Sequence, residues 1–176
     1  TIIATDVTCF GWSDGSATVS VSGGKPPYSY IWFPIGFPGA GTPTYSSLIP
    51  GTYYCVITDD NACVDLSNTI TIDQPDAITS PANITDVLCH GYASGTIDIT
   101  PDGGTPFSGN PNYTFSWSNG AVSEDLINVV AGTYTVIITD SNGCDTNFTY
   151  TIDEPNNPIT SPANITDVLC HGYASG

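Results

Sequence analysis

The chain has 176 residues, with 17 Asp and Glu against a single Lys or Arg, and a formal charge of −16. That balance argues against nucleic acid, whose phosphates are neutralised by Lys and Arg, and against docking on an anionic membrane. No run of about 18 apolar residues occurs, so no membrane insertion is expected, and cysteines at repeated spacings suit an extracellular, disulfide-stapled chain.

Helix signals are nearly absent. Short alternating segments bounded by Gly, Pro, Asn and Asp predict an all-β chain. In chain order, the first clear strand is Ala17–Val21, with Ala17, Val19 and Val21 on its apolar side. The aromatic segment 28–32 follows, with Tyr28, Tyr30 and Trp32 facing one way. In the next long strand Tyr53, Cys55 and Ile57 face inward, and a last strand carries Ile70 and Ile72.

The same elements then recur. Ile97 and Ile99 keep the parity of the first strand; Tyr113, Phe115 and Trp117 repeat the aromatic one. Tyr134, Val136 and Ile138 repeat the third, and Tyr150 and Ile152 the last. Residues 78–95 and 159–176 are identical letter for letter. A period of this kind marks a repeat array. It divides the chain into a module at 1–77, a second at 78–158 and the start of a third at 159–176. The third copy breaks off where a strand should begin, so the natural polypeptide is expected to continue. Each module has about 80 residues, the small end for a domain with its own core.

Six or seven short strands per module favour a two-layer sandwich. A core Trp on a middle strand and a Tyr at the start of a late strand suit immunoglobulin-like packing. Tyr53-x-Cys55 even has the spacing of a tyrosine corner. Val136 stands where module 1 has Cys55, so Cys55 is read as a small buried hydrophobe.

The pattern Thr-Asp-Val-x-Cys, Asp-Gly-Ser-Ala-Thr-Val-Ser-Val-Ser-Gly-Gly-x-Pro-Pro-Tyr-x-Tyr-x-Trp, Gly-Thr-Tyr, Thr-Asp-x-Asn-x-Cys and Ile-x-x-Pro resembles the SprB-type repeat of gliding-bacterium surface adhesins. The resemblance spans both modules. It implies tandem immunoglobulin-like or PKD-like β-sandwich modules in very large Bacteroidetes cell-surface proteins. Such proteins are exported by the type IX route, displayed as filaments used in adhesion or gliding, and have no enzymatic activity. Neighbouring repeats and copies of the chain in a filament are the implied partners, with an external surface or glycan as a further one.

Catalysis has little to stand on. His90 and His171 are one repeat position counted twice, and module 1 has Phe10 there. No Cys-x-x-Cys suggests zinc, and no nucleophile–base pair recurs between the modules. The candidate sites are of other kinds. Cys9 and Cys89 share one module position, Cys63 and Cys144 another. Intramodular bridges Cys9–Cys63 and Cys89–Cys144 are one scheme; Cys63–Cys89 with Cys144–Cys170 is the alternative, which would chain the modules. Oxygen-rich turns holding Asp59, Asp60, Asn61 and Asp65, and Asp140, Asn142 and Asp145, are candidates for Ca²⁺, which takes about six to eight oxygens. Asp and Asn are equally good turn formers. A second acidic cluster lies at the junctions, with Asp73, Asp76 and Asp86 repeated as Asp153, Glu154 and Asp167. Finally, Phe33, Ile35 and Phe37 lie in a loop too apolar to be merely solvated, and module 2 has no such insertion. They are a candidate contact loop toward a neighbouring module or chain.

Overall fold

The computed structural model describes residues 1–35, 41–109 and 111–156. In chain order the strands are β1 (Ile2–Thr5), β2 (Gly15–Val19), β3 (Ser29–Phe33), β4 (Thr44–Leu48), β5 (Gly51–Thr58), β6 (Val64–Leu66), β7 (Ile70–Ile72), β8 (Ala82–Thr85), β9 (Gly95–Ile99), β10 (Thr114–Trp117), β11 (Leu126–Val129), β12 (Gly132–Thr139) and β13 (Asp145–Ile152). Among the described residues there is no helix. One antiparallel sheet has the order β1-β2-β4; its partner is β3-β5-β6, with β7 also paired to β5. The pattern repeats as β8-β9-β11 and β10-β12-β13. The long β13 takes the place of β6 and β7 together. In the first sandwich that edge breaks at Ser67, whose backbone N–H and Oγ both engage the backbone of Cys55 at 2.8 Å.

Alternation sets the cores, because successive strand side chains point to opposite faces. Ala17 and Val19 from one sheet meet Trp32, Tyr53, Cys55, Ile57 and Ile72 from the other in a single buried cluster. Ile97 and Ile99 meet Phe115, Trp117, Tyr134, Val136, Ile138 and Ile152 in a second. Each cluster draws on both of its sheets, which is the expected two-layer immunoglobulin-like sandwich. The Tyr53 hydroxyl donates to the Ile49 carbonyl at 2.8 Å, and Tyr134 to Val130 at 2.9 Å. Both are tyrosine corners, each reaching four residues upstream. Cys55 is fully buried and unbridged, a core hydrophobe as expected; burial pushes its thiol pKa up.

Two features differ from the sequence reading. β4 and β11 occupy stretches in which no two-residue alternation marks a strand. Tyr45 and Leu48 of β4 are buried with two exposed serines between them, so the inward spacing is three rather than two. The cause is a bulge. Ser47 and, at the equivalent place, Asn128 take positive φ, and the pairing with β2 and β9 shifts there. A bulge inserts one unpaired residue and so breaks the alternation that marks a strand. The second is the ring packed on each core Trp, for which the sequence points to Tyr53 and Tyr134. The ring stacked on Trp32 is Tyr45, at 5.3 Å and 15°, and Tyr45 in turn meets Tyr53 edge-on. In the second sandwich Trp117 packs against Tyr150, at 6.2 Å.

Candidate functional site

Each sandwich carries two structured turns, one at either end. At the leading end, Asp140 is buried although it carries a charge. Its Oδ2 accepts the N–H of Thr105 at 2.7 Å, and its Oδ1 accepts those of Asn142 and Cys144 at 2.9 Å. Three charge-assisted bonds offset its desolvation and tie the 140–145 turn to the Gly103-Gly104 turn. Asp59 does the same for Lys25, Asn61 and Cys63, at 2.8–3.0 Å. The Lys25 N–H first, then that of Cys63, holds the Asp59 carboxyl below its ordinary value.

At the trailing end, the segment around residues 6–11 is fastened to the last strand of its own sandwich. Val7 N–H donates to Asp73 O at 2.9 Å, Asp73 N–H to Asp6 Oδ1 at 2.9 Å, and Gly11 N–H to Gln74 Oε1 at 2.8 Å. The second copy repeats this, with Asp86, Val87 and Asp153 at 2.9 Å and Gly91 N–H on Glu154 Oε2 at 2.6 Å. His90 adds Nδ1 contacts to Glu154, at 3.2 Å, and to the Pro155 carbonyl, at 3.1 Å. The histidine is therefore part of a turn clasp. So are Asp73, Asp86, Asp153 and Glu154 of the second acidic cluster; Asp167 and His171 lie outside the described residues.

The trailing end of the first sandwich sits on the leading end of the second. The linker runs along the second sandwich: Gly104 N–H donates to Asp76 O at 2.8 Å, and Thr79 and Asp102 exchange backbone bonds at 2.8 and 3.0 Å. A Cβ at Gly103 would run into the Ala77 carbonyl, and one at Gly104 would lie 2.7 Å from Asp140 Oδ2 and 2.9 Å from Ile78. Both glycines have positive φ, so conformation and close approach each require them. Ile78 inserts into the second core. Asn142 Nδ2 reaches across to the Thr8 carbonyl at 3.3 Å. Beside it, Cys9 and Cys144 form a disulfide with Cα atoms 5.6 Å apart, closing 135 residues of sequence. A cavity of about 110 Å³ remains between the two ends, lined in part by Phe10, Trp12, Ala77 and Ile78.

This bridge corrects the expected pairings. Cys9–Cys63 and Cys89–Cys144 do not form; Cys63 and Cys89 are free and exposed. Cys9 lies at the end where Gly51 of β5 pairs with Ile72, whereas Cys63 follows Thr58 at the other end of the same strand. An eight-residue strand spans roughly 27 Å at 3.4 Å per residue, and a disulfide needs Cα atoms within about 7 Å. The same geometry rules out Cys63–Cys89 within one chain, since these positions are at the far ends of the two sandwiches. Cys144, already bonded, is not available to Cys170.

The Ca²⁺ candidates also read differently. Among the described residues no three His, Cys, Asp or Glu side chains are grouped to hold a metal ion. Asp59 and Asp140 are turned onto backbone N–H groups, Asp60 pairs with Lys25 at 2.6 Å, and Asn142 is spent on the junction; Asp65 lies within β6 and Asp145 heads β13. In the candidate contact loop, Phe33 stacks on Tyr54 of its own sandwich, with ring centroids 5.0 Å apart. Ile35 is 71% exposed, and Phe37 lies outside the described residues.

Fold and junction together define a tandem β-sandwich repeat protein. The SprB repeat family model matches residues 1–37 and 82–122, the leading portion of each sandwich. No curated protein matches the chain. Among solved structures, it is similar to the C-terminal 282-residue fragment of intimin in complex with the intimin-binding domain of the translocated intimin receptor. That match has 18% identity and a TM-score of 0.38, covering 89% of this chain and 64% of the fragment. It is also similar to the amphioxus IgVJ-C2 molecule, at 13% identity and a TM-score of 0.31, covering 87% of this chain and 96% of that one. The chain thus spans under two thirds of the intimin fragment. No helix among the described residues is long and apolar enough to cross a membrane.

Proposed function

We propose that the chain is a structural repeat segment of a large secreted cell-surface adhesin or filament that mediates surface attachment or gliding. Its modules run over 1–77 and 78–158, with a third beginning at 159. The observation that supports this most is the junction: the linker hydrogen bonds, the Asn142 contact and the Cys9–Cys144 bridge fasten one sandwich to the next. Sequence invested in holding neighbours end to end suits a part that transmits load and sets spacing. Its partners are then neighbouring repeats and other copies of the chain. With a charge of −16, lateral contact between chains needs apolar side chains or cations, and the exposed Ile35 is one of the apolar side chains open to it.

A second reading is a carbohydrate- or ligand-binding module using the variable loops, favoured by the exposed Trp12 and Tyr92 near the junction ends. Beads carrying the oxidised chain, offered to glycan arrays and to abiotic surfaces, separate the two. The scaffold reading expects no saturable glycan binding; saturable binding lost on replacing Trp12 or Tyr92 by Ala would make the chain a binding module.

A further inference from the structure

Among the described residues, Cys63 and Cys89 are the two unbridged surface cysteines, and each is the repeat counterpart of a bridged one. Cys89 stands where Cys9 does; Cys63 stands where Cys144 does. Cys9 and Cys144 are buried, whereas Cys63 and Cys89 are exposed. The carboxylate and backbone bonds that shape the turns recur in both sandwiches, at Asp59 and Asp140 and at Asp6–Asp73 and Asp86–Asp153, although His90 and Lys25 add contacts of their own; the bridged pair differs from the unbridged cysteines in having a neighbouring sandwich.

We infer that Cys63 and Cys89 are half-sites of further inter-module disulfides, so that in an array each module's leading-turn cysteine is bonded to the trailing-turn cysteine of the module before it. The partner of each is another module of the same repeat.

Three observations support this beyond the cysteines. The first is at Gly23, the counterpart of Gly103. It takes the same positive φ, 82° against 87°. Among the described residues nothing lies within 4 Å of where its Cβ would be, whereas the Ala77 carbonyl of the linker fills that place at Gly103. The second is a groove of about 220 Å³ over Gly23, Gly24, Asp59 and Cys63. It lies where the second sandwich receives Ile78. The third is chemical. The Asn142 bond across the junction ends on a backbone carbonyl, that of Thr8. Leu88, at the Thr8 position, offers the same carbonyl, and Asn61 repeats Asn142. Exchange of Thr for Leu therefore leaves the contact intact.

Bond formation is a two-electron oxidation by thiol–disulfide exchange: two thiols lose two protons and two electrons to an external small-molecule disulfide, which leaves as two thiols. The resulting bridges overlap along the array. Each spans from one module into the next, and no module lies outside a closed loop.

The test completes the third module. The whole chain is followed by a second copy of residues 96–158, with Cys170→Ser to leave one trailing-turn cysteine per junction. After oxidation and digestion without reductant, the peptides of Cys9 and Cys89 should each be joined, in equal yield, to a peptide ending its turn in Asn-Gly-Cys. Cys55 and Cys63 should be the remaining thiols. In the further variant Cys89→Ser the added module's leading-turn cysteine should become a free thiol, with the Cys9 bridge unchanged. Recovery of Cys89 as a free thiol in the folded three-module protein, or joined to Cys63, would overturn the inference.

Discussion

A chain held at its two ends should stretch very differently before and after reduction. Force applied at the termini enters through Thr1–Cys9, crosses the disulfide and leaves through the segment after Cys144. The 135 positions between the two cysteines carry no load while the bridge is intact. Those positions hold all of β2 to β12, hence most of both cores. At about 3.5 Å per extended residue they amount to roughly 470 Å of hidden contour. The folded separation of the two Cα atoms is only 5.6 Å, so nearly all of that length should appear when the bridge is opened. Single-molecule pulling on the oxidised chain should show only short extensions from the terminal segments. Reductant, or Cys9→Ser, should add unfolding steps totalling about 470 Å. If the oxidised chain already releases that length at ordinary unfolding forces, the bridge does not shunt the load and the reasoning fails.

Three further outcomes are expected. Trp117 is 3% exposed and its Nε1 donates to the Ser123 carbonyl at 2.9 Å; Trp117→Ala should cost about 3–5 kcal/mol. A domain of its size has roughly 4–12 kcal/mol in all, so denaturant unfolding should show the second sandwich melting early while the first, read through Trp32, is little changed. Small-angle scattering should give the oxidised chain one preferred inter-module distance, and Cys9→Ser should broaden that distribution without changing the far-ultraviolet spectrum. For Asp59, hydrogen bonding lowers the folded carboxyl below its ordinary 3.8. Its stabilisation is then fully present above pH 3.8 and is lost as the pH falls through the lower folded value. Asp59→Asn should accordingly flatten the acid limb of the stability curve below pH 3.8 for the first sandwich, read by unfolding at a series of pH values.

Much of the fold was legible because it follows from local alternation. The inward sets Tyr53-Cys55-Ile57 and Tyr134-Val136-Ile138 could be read from spacing alone, and Tyr53-x-Cys55 has the spacing of a tyrosine corner; the corner at Tyr134 is seen only in the structure. Tyr45 could not, since the left-handed Ser47 puts two outward residues between Tyr45 and Leu48, and no period of two survives. The ends of the sandwiches were harder still. Asp59 and Asp140 have the composition of a cation site, yet their oxygens are taken by backbone N–H groups, two from their own turn and one from a turn some 35 residues earlier, and composition does not reveal that long-range bond. The disulfide was misjudged for a related reason. Sequence shows that Cys9 and Cys63 belong to one repeat but not that they lie at opposite ends of it. One signal was available: an end-to-end array places the trailing turn of each module beside the leading turn of the next, and pairing across the junction uses the same two repeat positions.

Non-reducing peptide mapping of the oxidised chain tests the central claim, that neighbouring sandwiches are locked end to end. The account predicts one major cross-linked species joining the peptide of Cys9 to that of Cys144, with Cys55, Cys63, Cys89 and Cys170 recovered as thiols. A peptide joining Cys9 to Cys63, or Cys89 to Cys144, would mean that each module closes on itself and that nothing covalent holds the junction.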